Sequence, residues 1–146
     1  MRKLSDSEVK EHIFDILCGF SGFCDQHGLR YYLSGGTLLG AVRHKGFIPW
    51  DDDVDVLMPR PDFDKLHELL KNENIKPFYK LISLQMGNSF WPFAKIIDTR
   101  THVENEYSNV DQHLWIDIFP MDGLPDDKKE SDLLLSKAEP LKKWIN

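Results

Sequence analysis

Residues Gly35–Val56 read GGTLLGAVRHKGFIPWDDDVDV, and the fold of the chain turns on how this stretch is placed. A Gly-Gly pair stands sixteen residues ahead of four aspartates in five positions, Asp51, Asp52, Asp53 and Asp55. The acids lead into an apolar run, Val54, Val56, Leu57 and Met58. On a strand, successive side chains go to opposite faces, so Asp53 and Asp55 share one face and Val54 and Val56 the other. Two carboxylates about 7 Å apart on one face repel, and near neutral pH they hold a proton or bind a cation. Few histidines and no cysteine stand nearby, which suits a hard, oxygen-preferring ion such as Mg²⁺ or Mn²⁺. An acidic cluster by itself is usually a solvated loop. Here the acids enter an apolar run behind a double glycine, the combination a nucleotide-handling metal site needs.

Upstream, Leu29–Ser34 reads as a short strand and Ser34–Thr37 as a glycine turn. Leu38–Arg43 then forms a short helix. A strand, a glycine turn and a helix N-terminus offer several backbone N–H groups to a phosphate, although a Gly-Gly pair is also an ordinary turn. Arg43, His44 and Lys45 either balance the nearby acids in a solvated loop or touch phosphate. Arg43 suits the second role through its forked donors. Pro49 fixes the approach to Trp50 and Asp51. Further back, Ser5–Gly28 is a helix: Ser5 and Glu8 have capping-box spacing, and Val9, Ile13, Leu17, Phe20 and Cys24 recur at helical intervals. Gly28 stops it. Gly19 and Gly22 each cost about 1 kcal/mol of helicity relative to Ala, which suggests close packing there. Cys18 and Cys24 point to different sides of this helix and read as buried small hydrophobes, not as a disulfide or a metal site.

Downstream, Pro59-Arg60-Pro61 ends the acidic strand and Asp62 caps a helix through about Asn74, with Phe63, Leu66, Leu69 and Leu70 on its apolar face. Phe78–Leu84 and Trp91–Ile97 form a hairpin whose turn contains Gly87 and Asn88. Lys95 stands among apolar neighbours in the second strand, so it is at an edge or aimed into a polar cleft. Thr101–Tyr107 is a loop or a short strand. His113–Pro120 is an apolar strand carrying one acid, Asp117. A buried carboxylate without a partner is costly, so Asp117 must have one, unless its strand lies at an edge. Asp126–Asn146 is a charged helix interrupted at Pro140, and it leaves Trp144 and Ile145 as apolar surface at the end.

The chain has 146 residues, 41% of them apolar, the size and composition of one globular domain spanning 1–146. Its net charge of −6 excludes a general nucleic-acid binder. No stretch approaches the roughly 20 apolar residues of a membrane span, and the first residues lack the apolar core of a signal peptide. A cytoplasmic location is the expectation.

Gly36–Arg43 together with Gly46–Val56, GTLLGAVR and GFIPWDDDVDV, resembles the signature of the LicD family, and IDIFP at 116–120 resembles it again. The family contains phosphocholine and polyol-phosphate transferases of the nucleotidyltransferase-fold superfamily, related to the fukutin-related proteins. The resemblance implies an α+β fold, a nucleotidyltransferase-like mixed β-sheet core flanked by helices. It implies that Gly35 and Gly36 hold nucleotide phosphate with Thr37 assisting, and that Lys95 contacts phosphate. It also supplies the partner Asp117 needs, as the third carboxylate beside Asp53 and Asp55, joining the metal and serving as general base. Asp51 and Asp52 shape the surrounding loop. The expected reaction moves a phospho-alcohol from a CDP-linked donor to a glycan hydroxyl. Nucleotidyl transfer through the same acids is the rival. A truncated, non-catalytic nucleotide-binding module is another, because family members usually run well beyond residue 146.

Overall fold

A computed structural model describes residues 2–104 and 113–142. Among these residues, five strands form one mixed sheet flanked by four helices, the α+β arrangement expected. The elements are α1 (Asp6–His27), β1 (Tyr32–Leu33), α2 (Gly35–Arg43), β2 (Asp55–Pro59), α3 (Arg60–Leu70), β3 (Tyr79–Ile82), β4 (Ala94–Asp98), β5 (Leu114–Met121) and α4 (Lys128–Lys142). The spatial order is β1-β2-β5-β4-β3. Only the β2–β5 pair is parallel; the other three are antiparallel.

Alternation along the strands separates two faces. Val56 and Met58 of β2, Ala94 and Ile96 of β4, and Ile116 and Ile118 of β5 are buried without exposure, and they join Ile16 and Phe20 of α1 and Leu66 of α3 in one core. Burying each of these side chains other than Ala94 contributes roughly 1.5–3 kcal/mol. Asp55, Trp115, Asp117 and Phe119 take the intervening positions and face away from that core. The sheet thus has one packed face and one chemical face.

Local signals set most boundaries. Ser5 and Glu8 form the capping box, and Gly28 closes α1 in the left-handed conformation, φ 64°. The hairpin is present as β3 and β4, with Gly87 at φ 72° in the connection. Several expectations shift. Strand β1 keeps only two residues. Helix α2 begins at Gly35 itself, so the glycines are its first turn and not a loop before it. Asp53 lies ahead of β2, which begins at Asp55. Helix α3 starts two residues before Asp62, with Pro59 as its cap, and ends at Leu70. Asp62 instead takes a hydrogen bond from Arg30 Nε at 2.8 Å. Helix α4 continues through Pro140. Residues 101–104 have no regular structure, while Tyr107, Trp144 and Ile145 lie outside the described residues.

The two internal glycines of α1 differ. A Cβ at Gly19 would stand 3.1 Å from the Tyr79 ring and 3.2 Å from Ile75, so this position is a packing contact. At Gly22 nothing lies within 4 Å. Gly22→Ala is therefore expected to stabilise the protein by about 0.5–1 kcal/mol, visible as a raised chemical-denaturation midpoint. Of the cysteines, Cys24 is buried but Cys18 is exposed, because its position falls outside the apolar stripe.

His67 is fully buried, with Nδ1 2.8 Å from the Phe63 carbonyl and Nε2 2.8 Å from Ser83 Oγ. Burial pushes its pKa down and keeps the ring neutral. An unfolded histidine binds its proton near pH 6.5, whereas the folded one does so only at lower pH. The stability this group contributes is thus complete above about pH 6.5 and lost as pH falls through the window below it. Acidification from about pH 7.5 to about pH 5.5 should lower the urea midpoint more for wild type than for His67→Gln.

Candidate active site

Hydrogen bonds tie the glycine-rich helix to the acidic strand. Asp55 N–H donates to Thr37 Oγ1 at 2.9 Å, and Ser34 N–H donates to the Asp55 carbonyl at 3.0 Å. Gly35 adopts φ 53°, a conformation that suits glycine, and a Cβ there would stand 3.6 Å from Asp55 Oδ2. A Cβ on Gly36 would run into Asp51 Oδ2. Both glycines thus allow the first turn of α2 to approach the acids closely. Ser34 makes no side-chain cap, which leaves the first amides of α2 available to an anion.

Strand pairing brings the second acid in. Asp55 and Asp117 are register partners across the parallel β2–β5 pair, which puts their Cα atoms about 5 Å apart. Lys95 is the register partner of Asp117 on the other side. Its strand, β4, is interior and not an edge, and its ammonium group lies 3.9 Å from Asp117 Oδ1. Lys95 is therefore not at an edge; it is buried beside Asp117 among aromatic rings.

The remaining acids crowd the same corner. Asp53 is exposed as a residue, yet its carboxyl end is partly shielded. That desolvation, a hydrogen bond with Asp51 and the charges of Asp51, Asp55 and Asp52 push its pKa up to about 6. Burial and the charge of Asp51 raise Asp55 as well. A cavity of about 350 Å³ adjoins them, lined by Phe14, Leu17, Leu33 and Phe47 together with Asp51 and Asp53.

Donor type and crowding decide whether these acids suit a metal. Three carboxylates are hard oxygen donors of the kind Mg²⁺ and Mn²⁺ prefer. Asp53 and Asp55 both sit above their ordinary pKa, so a nearby cation would relieve them. Among the described residues, no three His, Cys, Asp or Glu side chains already converge on one point. Asp53 is engaged with Asp51, and Asp117 accepts from the Trp115 indole at 3.0 Å. The donor set fits; Asp53 would have to exchange its hydrogen bond with Asp51 for the ion.

Not every predicted residue gathers here. Arg43 ends α2, eight residues beyond Gly35, which is about 12 Å along the helix axis. Its Nε lies 3.3 Å from His44 Nδ1 in the exposed loop. The sequence pattern assigns Trp115 no role, yet it contacts both Asp117 and Lys95. Its spacing of two from Asp117 within one strand is the signal that would have found it.

A model of the family described as LicD/FKTN/FKRP, nucleotidyltransferase domain, matches residues 28–139. The chain is 34% identical to the lipopolysaccharide cholinephosphotransferase LicD of Haemophilus influenzae over 147 aligned positions, 97% of this chain and 54% of that protein. A stretch of 35 residues, 24% of this chain, is 57% identical to 7% of the ribitol 5-phosphate transferase FKRP of Homo sapiens. The chain therefore spans about half the length of the Haemophilus relative. Among the described residues, no helix is long and apolar enough to cross a membrane.

Proposed function

The chain belongs to the LicD/FKTN/FKRP family, and from that premise we propose that it transfers phosphocholine, or a similar phospho-alcohol, from a CDP-linked donor to a sugar hydroxyl of a cell-surface glycan such as lipopolysaccharide or teichoic acid. The name of the Haemophilus relative supports the group moved and the class of acceptor. The observation in this chain that carries the reading is the pairing of Asp55 with Asp117 across parallel strands beside the first turn of α2.

Asp53, Asp55 and Asp117 would hold Mg²⁺ or Mn²⁺. When bound, the ion would stabilise negative charge on the diphosphate oxygens. The first amides of α2, at Gly35, Gly36 and Thr37, would bind the diphosphate. Asp117 takes the proton of the acceptor hydroxyl as general base. That oxygen bonds to the phosphorus bearing the alcohol, the anhydride P–O bond breaks, and cytidine monophosphate leaves with the bonding electrons. A phosphate oxygen near Asp117 would also meet the Lys95 ammonium. Arg43, two turns away, would reach only a more distant part of the substrate.

Phosphorus NMR of CDP-choline turnover with a sugar acceptor tests this. Release of cytidine monophosphate with phosphocholine joined to the acceptor is expected in Mg²⁺ and is expected to stop in excess EDTA. The matching model is described as a nucleotidyltransferase domain, and this favours a second reading in which a nucleoside monophosphate is transferred through the same acids. The same spectra separate the two, because that reaction would release phosphocholine and leave the nucleotide on the acceptor. Binding of CDP-choline without any turnover would instead indicate a binding module.

A further inference from the structure

We propose that Trp115 is a positioning residue for Asp117, its indole N–H fixing the carboxylate while its ring seats the Lys95 ammonium on the other side. The inference rests on Asp117 acting as ligand and base, as argued above. Trp115 precedes Asp117 by two residues on β5, so both project from the same face. Trp115 Nε1 donates to Asp117 Oδ2 at 3.0 Å, and Lys95 Nζ stands 3.9 Å from the opposite oxygen, Oδ1.

Lys95 is placed by rings as well as by charge. Its Nζ lies 4.3 Å from the Trp115 ring centroid, 5.4 Å from that of Trp91 and 5.9 Å from that of Phe93. Attraction to three aromatic faces offsets part of the cost of burying an ammonium at 6% exposure. A carboxylate drawn fully into an ion pair would compete poorly for a divalent cation. The indole donor engages Oδ2, while the ammonium stands beyond hydrogen-bond range of Oδ1, so Trp115 supplies the directional contact that orients this carboxylate. Trp115 thus acts on the carboxylate twice, directly through its N–H and indirectly through the seat it gives Lys95. A tryptophan serving only as packing would need neither contact.

Trp115→Phe keeps an aromatic ring and removes the donor. Loss of an outer partner of a metal ligand commonly costs 10–100-fold in affinity, so Mn²⁺ titrated calorimetrically into this variant should bind about tenfold more weakly. kcat should fall by a similar factor, with KM for the CDP-linked donor unchanged. In wild type, the Trp115 indole proton, resolved by ¹H–¹⁵N NMR, should exchange with solvent far more slowly than that of Trp50, which is 80% exposed. It should also broaden at low Mn²⁺. A folded Trp115→Phe that binds Mn²⁺ within about twofold of wild type overturns the inference alone. Should that variant not fold, a Trp115 indole proton exchanging as fast as that of Trp50 does the same. A wild-type protein that binds no Mn²⁺ removes the metal reading and this inference together.

Discussion

Asp117→Asn is expected to lower turnover by about 10³-fold while the protein still melts cooperatively near the wild-type temperature. The substitution preserves shape: the Asn side-chain oxygen can still accept from the Trp115 indole. What is lost is charge, at the one point where β5 brings a carboxylate beside Asp55. A general base contributes about 10²–10⁴-fold, and Asp117 is assigned a ligand role as well. Asp98 supplies the control. It is fully buried on the adjacent strand β4, but it faces α1 and takes two hydrogen bonds from the Arg100 side chain at 2.7 and 3.0 Å. Burial pushes its pKa up, and the Arg100 contacts outweigh this, leaving a net fall. Asp98→Asn should cost about 1–3 kcal/mol of stability with little effect on turnover per folded molecule. Kinetics and thermal unfolding of the two variants should thus move in opposite ways. Two asparagine variants with the same loss of stability and activity would remove the distinction drawn between them.

Helix α1 and the β3–β4 hairpin follow from local chemistry, since a capping box, a stopping glycine and a turn glycine act within a few residues. The alternation of Val54, Val56 and Met58 against Asp55 was legible for the same reason. Asp117 was not legible from its own surroundings; its partner across β5–β2 lies 62 residues back, and only the family resemblance suggested it. Lys95 had two readings because the sequence does not state strand order, and the interior place of β4 rules out the edge. Arg43 suits phosphate through its forked donors, a chemical signal that carries no position. Helix α2 carries it away, because starting at Gly35 spends the intervening residues on two helical turns. The same long-range rule hid Trp115. Its value depends on what β4 places opposite it.

Gly40→Ala is expected to be the most damaging single-methyl addition near the site. A Cβ there would stand 2.5 Å from the Gly46 carbonyl oxygen and 3.1 Å from the Ile48 nitrogen, both backbone atoms that no rotamer change can move. The loop is folded tightly over this position: His44 N–H and Gly46 N–H both donate to the Gly40 carbonyl, at 2.8 and 3.3 Å. Forcing it outward should cost about 2 kcal/mol or more, a fall in melting temperature of about 4–8 °C for a chain of this size. The loop then carries the damage into the site. Asp51 N–H donates to the Ile48 carbonyl at 2.9 Å, and the Asp51 carboxylate lies against Gly36 and bonds Asp53. Displacing Ile48 therefore disturbs the acids as well as the fold. Activity should fall further than the unfolded fraction explains, when measured well below the melting temperature. Gly46→Ala is the matched control, because a Cβ at Gly46 meets nothing within 4 Å and the residue is outside the left-handed region. It should leave both melting temperature and turnover near wild type. Equal behaviour of the two variants would show that the loop tolerates an added methyl at Gly40, and that its path does not hold the aspartates in place.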